Sequence, residues 1–119
     1  MRPAEWFDLT GRTAIVTGGG SGIGRACALA LAEAGAAVLV VGRRMEKLEE
    51  TCAAVRESGG VCEAFSADLT RDENCRTMVE VCQSRFGRVD ILINSAGSRG
   101  ASGDLEEELT AENLRATFA

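Results

Sequence analysis

Three features of the sequence predict an α/β chain built on a doubly wound parallel sheet with strand order 3-2-1-4. Short apolar, β-branched runs alternate with segments whose apolar residues recur at helical spacing. The first run, Thr13-Ala14-Ile15-Val16-Thr17, passes into a helical segment through Gly18-Gly19-Gly20-Ser21-Gly22-Ile23-Gly24. Right-handed crossovers then put the first two helices on one face and the third on the other, which sets the strand order.

The elements follow in sequence. Trp6, Phe7 and Leu9 precede the turn Thr10-Gly11 and are expected to cover the edge or bottom of the sheet. After the glycines, Ile23, Ala26, Cys27, Ala30, Leu31 and Ala34 form a helical stripe of mostly small residues, ended by Gly35. Ala36 to Val41 reads as a second buried strand, completing a βαβ unit. Met45, Leu48, Cys52 and Val55 mark one face of the next helix, which stops at Ser58-Gly59-Gly60. Val61 to Ser66 is a less apolar strand, expected nearer an edge. Thr70-Arg71-Asp72-Glu73 has capping-box spacing and opens a helix with the stripe Cys75, Met78, Val79, Cys82 and Phe86, ended by Gly87. Val89 to Ile93 is the fourth strand.

Composition narrows the function. A chain of 119 residues that is 45% apolar suits one domain with a core. Its net charge of −5 offers no electropositive surface for a nucleic-acid backbone or an anionic membrane. No apolar run approaches the length of a membrane span, the first residues lack a signal-peptide core, and the cytoplasm is the expected setting. Five cysteines without C-x-x-C spacing, in a chain with no histidine, indicate neither a zinc site nor a disulfide framework. They read as small buried hydrophobes in a reducing compartment.

The glycine turn reads as a phosphate cradle. Where a strand gives way to a helix, unpaired N–H groups and the positive end of the helix dipole converge on one spot, and an anion is held there without a lysine. The spacing G-x-G-x-x-G fits none of Gly18, Gly19, Gly20 or Gly22, and a Walker A loop fails because Arg25-Ala26 stand where Lys-Ser or Lys-Thr is needed. What remains is T-G-x-x-x-G-x-G, carried by Thr17, Gly18, Gly22 and Gly24, with Ser21 and Ile23 inside it.

Three further stations fall after strand ends, where a parallel sheet forms its ligand crevice. Gly42-Arg43-Arg44 follows the second strand, where an NAD-binding unit would place an acid on the adenosine ribose. A guanidinium pairs instead with a 2′-phosphate, so NADP is expected over NAD, with Arg43 better placed than Arg44. Asp68-Leu69 follows the third strand, and Asp68 is suited either to accept from the adenine amino group or to cap the next helix. Asn94-Ser95-Ala96-Gly97 follows the fourth, where small residues admit a nicotinamide ribose and the Asn94 amide can tie neighbouring strands.

With these stations in line, the chain resembles the short-chain dehydrogenase/reductase family over nearly its whole length. The family's glycine motif matches Thr17, Gly18, Gly22 and Gly24, its adenine-contacting acid matches Asp68, and its N-N-A-G motif matches Asn94, Ala96 and Gly97. Ser95 departs from that motif, replacing an asparagine. Phe7 to Arg12 also resembles the opening of bacterial members that reduce sugar acids, 3-oxoacyl thioesters or steroid ketones. The resemblance implies a Rossmann-type fold, hydride transfer between NADP and a small carbonyl or alcohol substrate, and a homo-oligomeric complete enzyme. It also implies a catalytic tyrosine, with a lysine four residues on.

This chain contains no tyrosine, and its one lysine, Lys47, lies on the helix after the second strand. Thr110 to Ala119 resembles the start of the family's fifth helix, before its catalytic asparagine. Residues 1–119 are therefore expected to be a single cofactor-binding Rossmann domain, incomplete at the C-terminus and inactive alone, with no catalytic residue and no metal. The alternative is a non-catalytic nucleotide-binding or interaction module. Ser98 to Gly103 is expected to line a substrate entrance, and Asp104 to Glu108 to form a solvated acidic face. With its remaining helices missing, the second sheet face is expected to leave four to six large side chains of the first and fourth strands wet. At about 1.5–3 kcal/mol each, that is a loss on the order of 10 kcal/mol, favouring association through the fourth-strand edge.

Overall fold

The computed structural model of the protein describes residues 8–20 and 22–95. Seven elements follow one another: β1 (Thr13–Thr17), α1 (Gly22–Glu33), β2 (Ala37–Gly42), α2 (Met45–Glu57), β3 (Val61–Ser66), α3 (Asp72–Phe86) and β4 (Ile91–Asn94). The four strands form one parallel sheet of order β3-β2-β1-β4, the order the crossovers predict. β3, the least apolar strand, is an edge strand.

Residues alternate between the two faces of the sheet. Val16, Val38 and Val40 meet Ala28 of α1 and Leu48, Cys52 and Val55 of α2 on one face. Ile15, Leu39 and Val41 meet Leu69 and the α3 residues Met78 and Cys82 on the other. Val38 to Val41 are wholly buried, and burying each such side chain contributes about 1.5–3 kcal/mol. β2 is therefore the spine of the domain. Three of the five cysteines, Cys52, Cys62 and Cys82, are buried, and Cys27 and Cys75 are half-buried.

Several expectations change. α1 is rotated from the expected stripe: Cys27 and Leu31 pack against the core as expected, but Ile23, Ala26 and Ala30 face solvent, while Gly24 and Ala28 are buried. The helix is apolar nearly all round, so counting apolar residues could not choose a face; the close approach of Gly24 to the β1 end does. The capping box does not form. Thr70 donates both its hydroxyl (2.7 Å) and its backbone N–H (3.0 Å) to Asp68 Oδ1, and the helix starts at Asp72 with Arg71 as the residue before it. A charged acceptor two residues upstream has captured the capping threonine in a tight local turn. β1 is buried throughout, and the wet apolar surface expected on β1 and β4 narrows to Leu92, which is 49% exposed among large hydrophobic residues of those strands. Leu92 pairs in register with Ile15 and so lies on the α3 face, beyond the reach of that helix.

At the amino ends of the strands, Asp90 clasps β1. Its backbone N–H donates to the Thr13 carbonyl (2.9 Å), and its Oδ2 accepts the Thr13 N–H (2.9 Å). Arg88 donates to Oδ1 at 2.6 Å and Arg12 lies 3.6 Å from the same atom. The Arg88 hydrogen bond, then that of Thr13, hold the carboxyl below the ordinary carboxylate range, with both guanidinium groups adding to this. A folded-state pKa below the unfolded one contributes stability that is complete above the unfolded value, about 3.9, and lost as pH falls through the folded value. Asp90→Asn is expected to flatten the acid limb of stability, measured as urea midpoints between about pH 2 and pH 6. An unchanged acid limb would remove Asp90 from that role.

Candidate functional site

Because the strands are parallel and nearly in register, their carboxyl ends share one edge of the sheet: Thr17 lies opposite Val41 and Asn94, and Gly42 opposite Ser66. All the stations read from the sequence that fall on described residues are on the segments leaving this edge. Ser21, Ala96 and Gly97 lie outside the described residues, as do Trp6, Phe7 and everything from Ser98 onward.

The glycine turn is held from both sides of the sheet. Gly18, with φ +67°, sends its N–H to the Val41 carbonyl at 2.7 Å, which keeps the loop against the end of β2. Gly22 opens α1 with φ +58°, and a Cβ added there would meet nothing within 4 Å. That open position beside the first turn of a helix is the space an anion needs. Gly24 is constrained oppositely: a Cβ there would collide with the Gly18 carbonyl and with the Ser95 hydroxyl. One glycine leaves room for a ligand and the other lets the helix sit on the strand end.

A side chain that the sequence reading passed over supports the same loop. Thr51 of α2 is fully buried, and its hydroxyl donates to the Gly19 carbonyl at 2.7 Å. The signal was present: Leu48, Thr51, Cys52 and Val55 fall at i, i+3, i+4 and i+7, so a polar residue occupied a core position of the stripe. A buried hydroxyl demands a partner, and here the partner is the loop backbone.

At the β1–β4 junction, Thr17 Oγ1 donates to Asn94 Oδ1 at 2.6 Å, so the Asn94 amide does tie neighbouring strands. Ser95 donates its hydroxyl and its N–H to the Thr17 carbonyl. At the far side, Arg43 and Asp68 bridge the ends of β2 and β3, with Nη2 3.4 Å from Oδ1. Both are substantially exposed, so water screens the pair and it contributes little to stability. The hydrogen bonds from Thr70 hold Asp68 below the ordinary carboxylate range, with Arg43 and Arg71 adding to this, so it is ionised and able only to accept at neutral pH. Arg44 is exposed just before α2. Leu69 turns its side chain into the α3-face core and leaves only backbone for a ligand. Ile23, 76% exposed on the first turn of α1, instead stands beside the glycine turn.

Comparison with known proteins decides the family. A family model described as short chain dehydrogenase matches residues 12–119. The chain belongs to the short-chain dehydrogenase family. It is 33% identical over 117 residues to an uncharacterized oxidoreductase, YxbG, of Bacillus subtilis, covering 92% of this chain and 43% of that one. Among solved structures, a 3-oxoacyl (acyl-carrier-protein) reductase from Agrobacterium tumefaciens C58 with NADP bound is similar at TM-score 0.77 and 32% identity, covering 98% of this chain and 44% of the other. An NAD+-bound xylitol dehydrogenase is similar at TM-score 0.74 and 39% identity, covering 78% of this chain and 36% of that one. The chain thus spans less than half the length of these short-chain dehydrogenase relatives. Of these two similar structures one holds NAD+ and the other NADP, and no helix among this chain's described residues is long and apolar enough to cross a membrane.

Proposed function

We propose that this chain is the cofactor-binding part of an NADP-dependent short-chain oxidoreductase acting on a small carbonyl or alcohol substrate. The observation that carries the reading is Gly22: a left-handed glycine on the first turn of a helix, with open space where a side chain would stand, at the edge where four parallel strands end. That cradle fits a dinucleotide's diphosphate, which the N–H groups of the turn from Gly18 to Gly24 would bind. When bound, the nicotinamide supplies or accepts a hydride. Thr17, Asn94 and Ser95 fix the small-residue edge on which its ribose would lie, and Ala96 and Gly97 follow them in the sequence as further candidate contacts. Asp68, ionised, would accept from the adenine amino group.

The NADP preference rests on Arg43 and Arg44. Arg43 is held to Asp68 only by an exposed contact of 3.4 Å, which a 2′-phosphate would outcompete with its higher charge. No side chain caps α2 directly after these arginines, leaving its first N–H groups to face the same anion. Arg43→Ala is expected to weaken NADPH binding roughly tenfold to a hundredfold, the equivalent of one charge-assisted hydrogen bond, and to leave NADH binding unchanged. Titration of both cofactors against both proteins, followed by thermal shift, checks this. Equal affinity of the unsubstituted chain for the two cofactors would overturn the NADP reading.

The absence of tyrosine from the 119 residues favours one second reading, a nucleotide-binding or interaction module without catalysis. The two separate at the gene: an in-frame Tyr-x-x-x-Lys segment after Ala119 belongs to the reductase, and a stop codon there to the module. A cytoplasmic setting suits the buried thiols Cys52, Cys62 and Cys82. A homo-oligomeric complete enzyme suits the half-exposed Leu92 near the β4 edge.

A further inference from the structure

Two buried thiols from different elements lie in contact. Cys52 of α2 and Cys62 of β3 have their sulfurs 3.2 Å apart, both within the core cluster between α2 and the sheet. A disulfide has its sulfurs about 2.05 Å apart, so bond formation needs an approach of roughly 1.2 Å rather than a refolding of either element. Arg56, one helical turn after Cys52, donates to the Cys62 carbonyl at 2.8 Å and pins the helix to the strand at this point. We propose that Cys52 and Cys62 are a dithiol that a hydroperoxide oxidises to a disulfide, and that closing this bond loosens the glycine turn through Thr51.

The chemistry balances without any group from the protein beyond the two thiols. One cysteine, as thiolate, attacks a peroxide oxygen; the O–O bond breaks, giving a sulfenic acid and, from hydrogen peroxide, one water. The second sulfur attacks the sulfenic sulfur, the S–O bond breaks, and the hydroxyl leaves with a proton as a second water. Two thiols are oxidised by two electrons and one hydroperoxide is reduced. Cys52 is the attacking group: the hydrogen bond from Cys62 pulls its thiol below the ordinary range against the opposing effect of burial, and Arg56 adds to the pull. The same contact, with burial, pushes Cys62 up. Access comes at the sheet edge. β3 is an edge strand, its first residue Val61 is exposed, and the turn Ser58 to Gly60 joins it to α2, so local opening there admits a molecule little larger than water.

The coupling to the glycine turn rests on the cofactor reading of that turn. Thr51 precedes Cys52 in the helix and gives its hydroxyl to the Gly19 carbonyl, so drawing Cys52 toward β3 carries Thr51 with it. Losing that hydrogen bond is expected to weaken NADPH binding about fivefold.

The test treats the full chain with hydrogen peroxide, alkylates remaining thiols and digests with trypsin without reductant. Cleavage after Lys47, Arg56 and Arg71 puts the two cysteines on separate peptides, 48–56 and 57–71. The expected product is these two peptides joined, lighter than their sum by two hydrogens, and released by dithiothreitol. Recovery of both as alkylated thiols while Cys27 or Cys75 is oxidised would overturn the proposal. In parallel, NADPH affinity is measured on reduced, oxidised and re-reduced protein, and on Cys62→Ala. The expected weakening reverses with reductant and is absent from the variant; the wild-type cycle alone decides should that variant fail to fold. A linked pair with unchanged NADPH affinity overturns the coupling. A reduced protein that binds neither NADPH nor NADH defeats the cofactor reading and the coupling with it, while bond formation is still decided by mass.

Discussion

Gly22→Asp is expected to lower NADPH affinity by a hundredfold or more while the chain still folds. The position has room for the side chain, since a Cβ there meets no atom within 4 Å. Its φ of +58° suits aspartate better than most residues, at a cost of about 1–2 kcal/mol. Stability should therefore fall by only about 4–15 °C in a domain of this size. On the proposed cofactor reading binding suffers far more, because a carboxylate would stand where the diphosphate is proposed to sit. Two like charges about 4 Å apart at an effective dielectric of about 20 repel by roughly 4 kcal/mol, which is near a thousandfold in affinity. Gly24→Ala is the necessary contrast. Its methyl group strikes the Gly18 carbonyl, so α1 must move off the strand end, and stability falls together with binding. Circular dichroism, thermal melts and a cofactor titration on both variants separate these roles. A folded Gly22→Asp protein with unaltered uptake of both cofactors would end the assignment of the glycine turn.

The largest expected loss of stability comes from Leu39→Ala. Leu39 sits at the middle of β2, fully buried, in the cluster with Ile15, Met78 and Cys82, and pairs in register with Ile15 on one side and Glu63 on the other. Truncation there leaves a cavity between sheet and helix that the rigid neighbouring strands cannot close, at a cost of about 2–5 kcal/mol. That is a large share of the roughly 5–15 kcal/mol by which domains are stable. Leu92→Ala, on the same face but half exposed, should cost under about 1 kcal/mol by comparison, since much of its side chain already touches water. Urea unfolding of the two variants gives the difference directly. Equal losses would mean that the α3 face is not centred on β2.

How far these features could be read in advance varied with the strength of the local signal. β1 and β2 were legible because buried parallel strands are apolar on both faces, and the unbroken run from Val38 to Val41 admits few other readings. The glycine turn was legible for a related reason: T-G-x-x-x-G-x-G places residues without side chains where a strand must yield to a helix. Rotation of α1 was not legible, because Ile23, Ala26, Ala30 and Leu31 satisfy a helical stripe as well as Gly24 and Ala28 do. Only the three-dimensional approach of Gly24 to Gly18 breaks that tie. The Thr70 capping box failed through competition, since Asp68 lies close enough to claim the same hydroxyl. Thr51 was overlooked because a polar residue inside an apolar stripe looks like noise until its partner, the carbonyl of Gly19, is known.

The bridge between Thr17 and Asn94 joins residues 77 positions apart. Bringing such distant segments together carries a larger entropic cost than pairing β1 with β2, whose partners are linked by a single crossover helix. The order of assembly follows from that difference: as the chain emerges from the ribosome, the β1–α1–β2 unit can collapse early, whereas the Asn94 side of the crevice has to wait for the fourth strand. Substitutions that slow β4 docking should therefore delay the gain of ligand-binding competence more than they delay the appearance of helical signal.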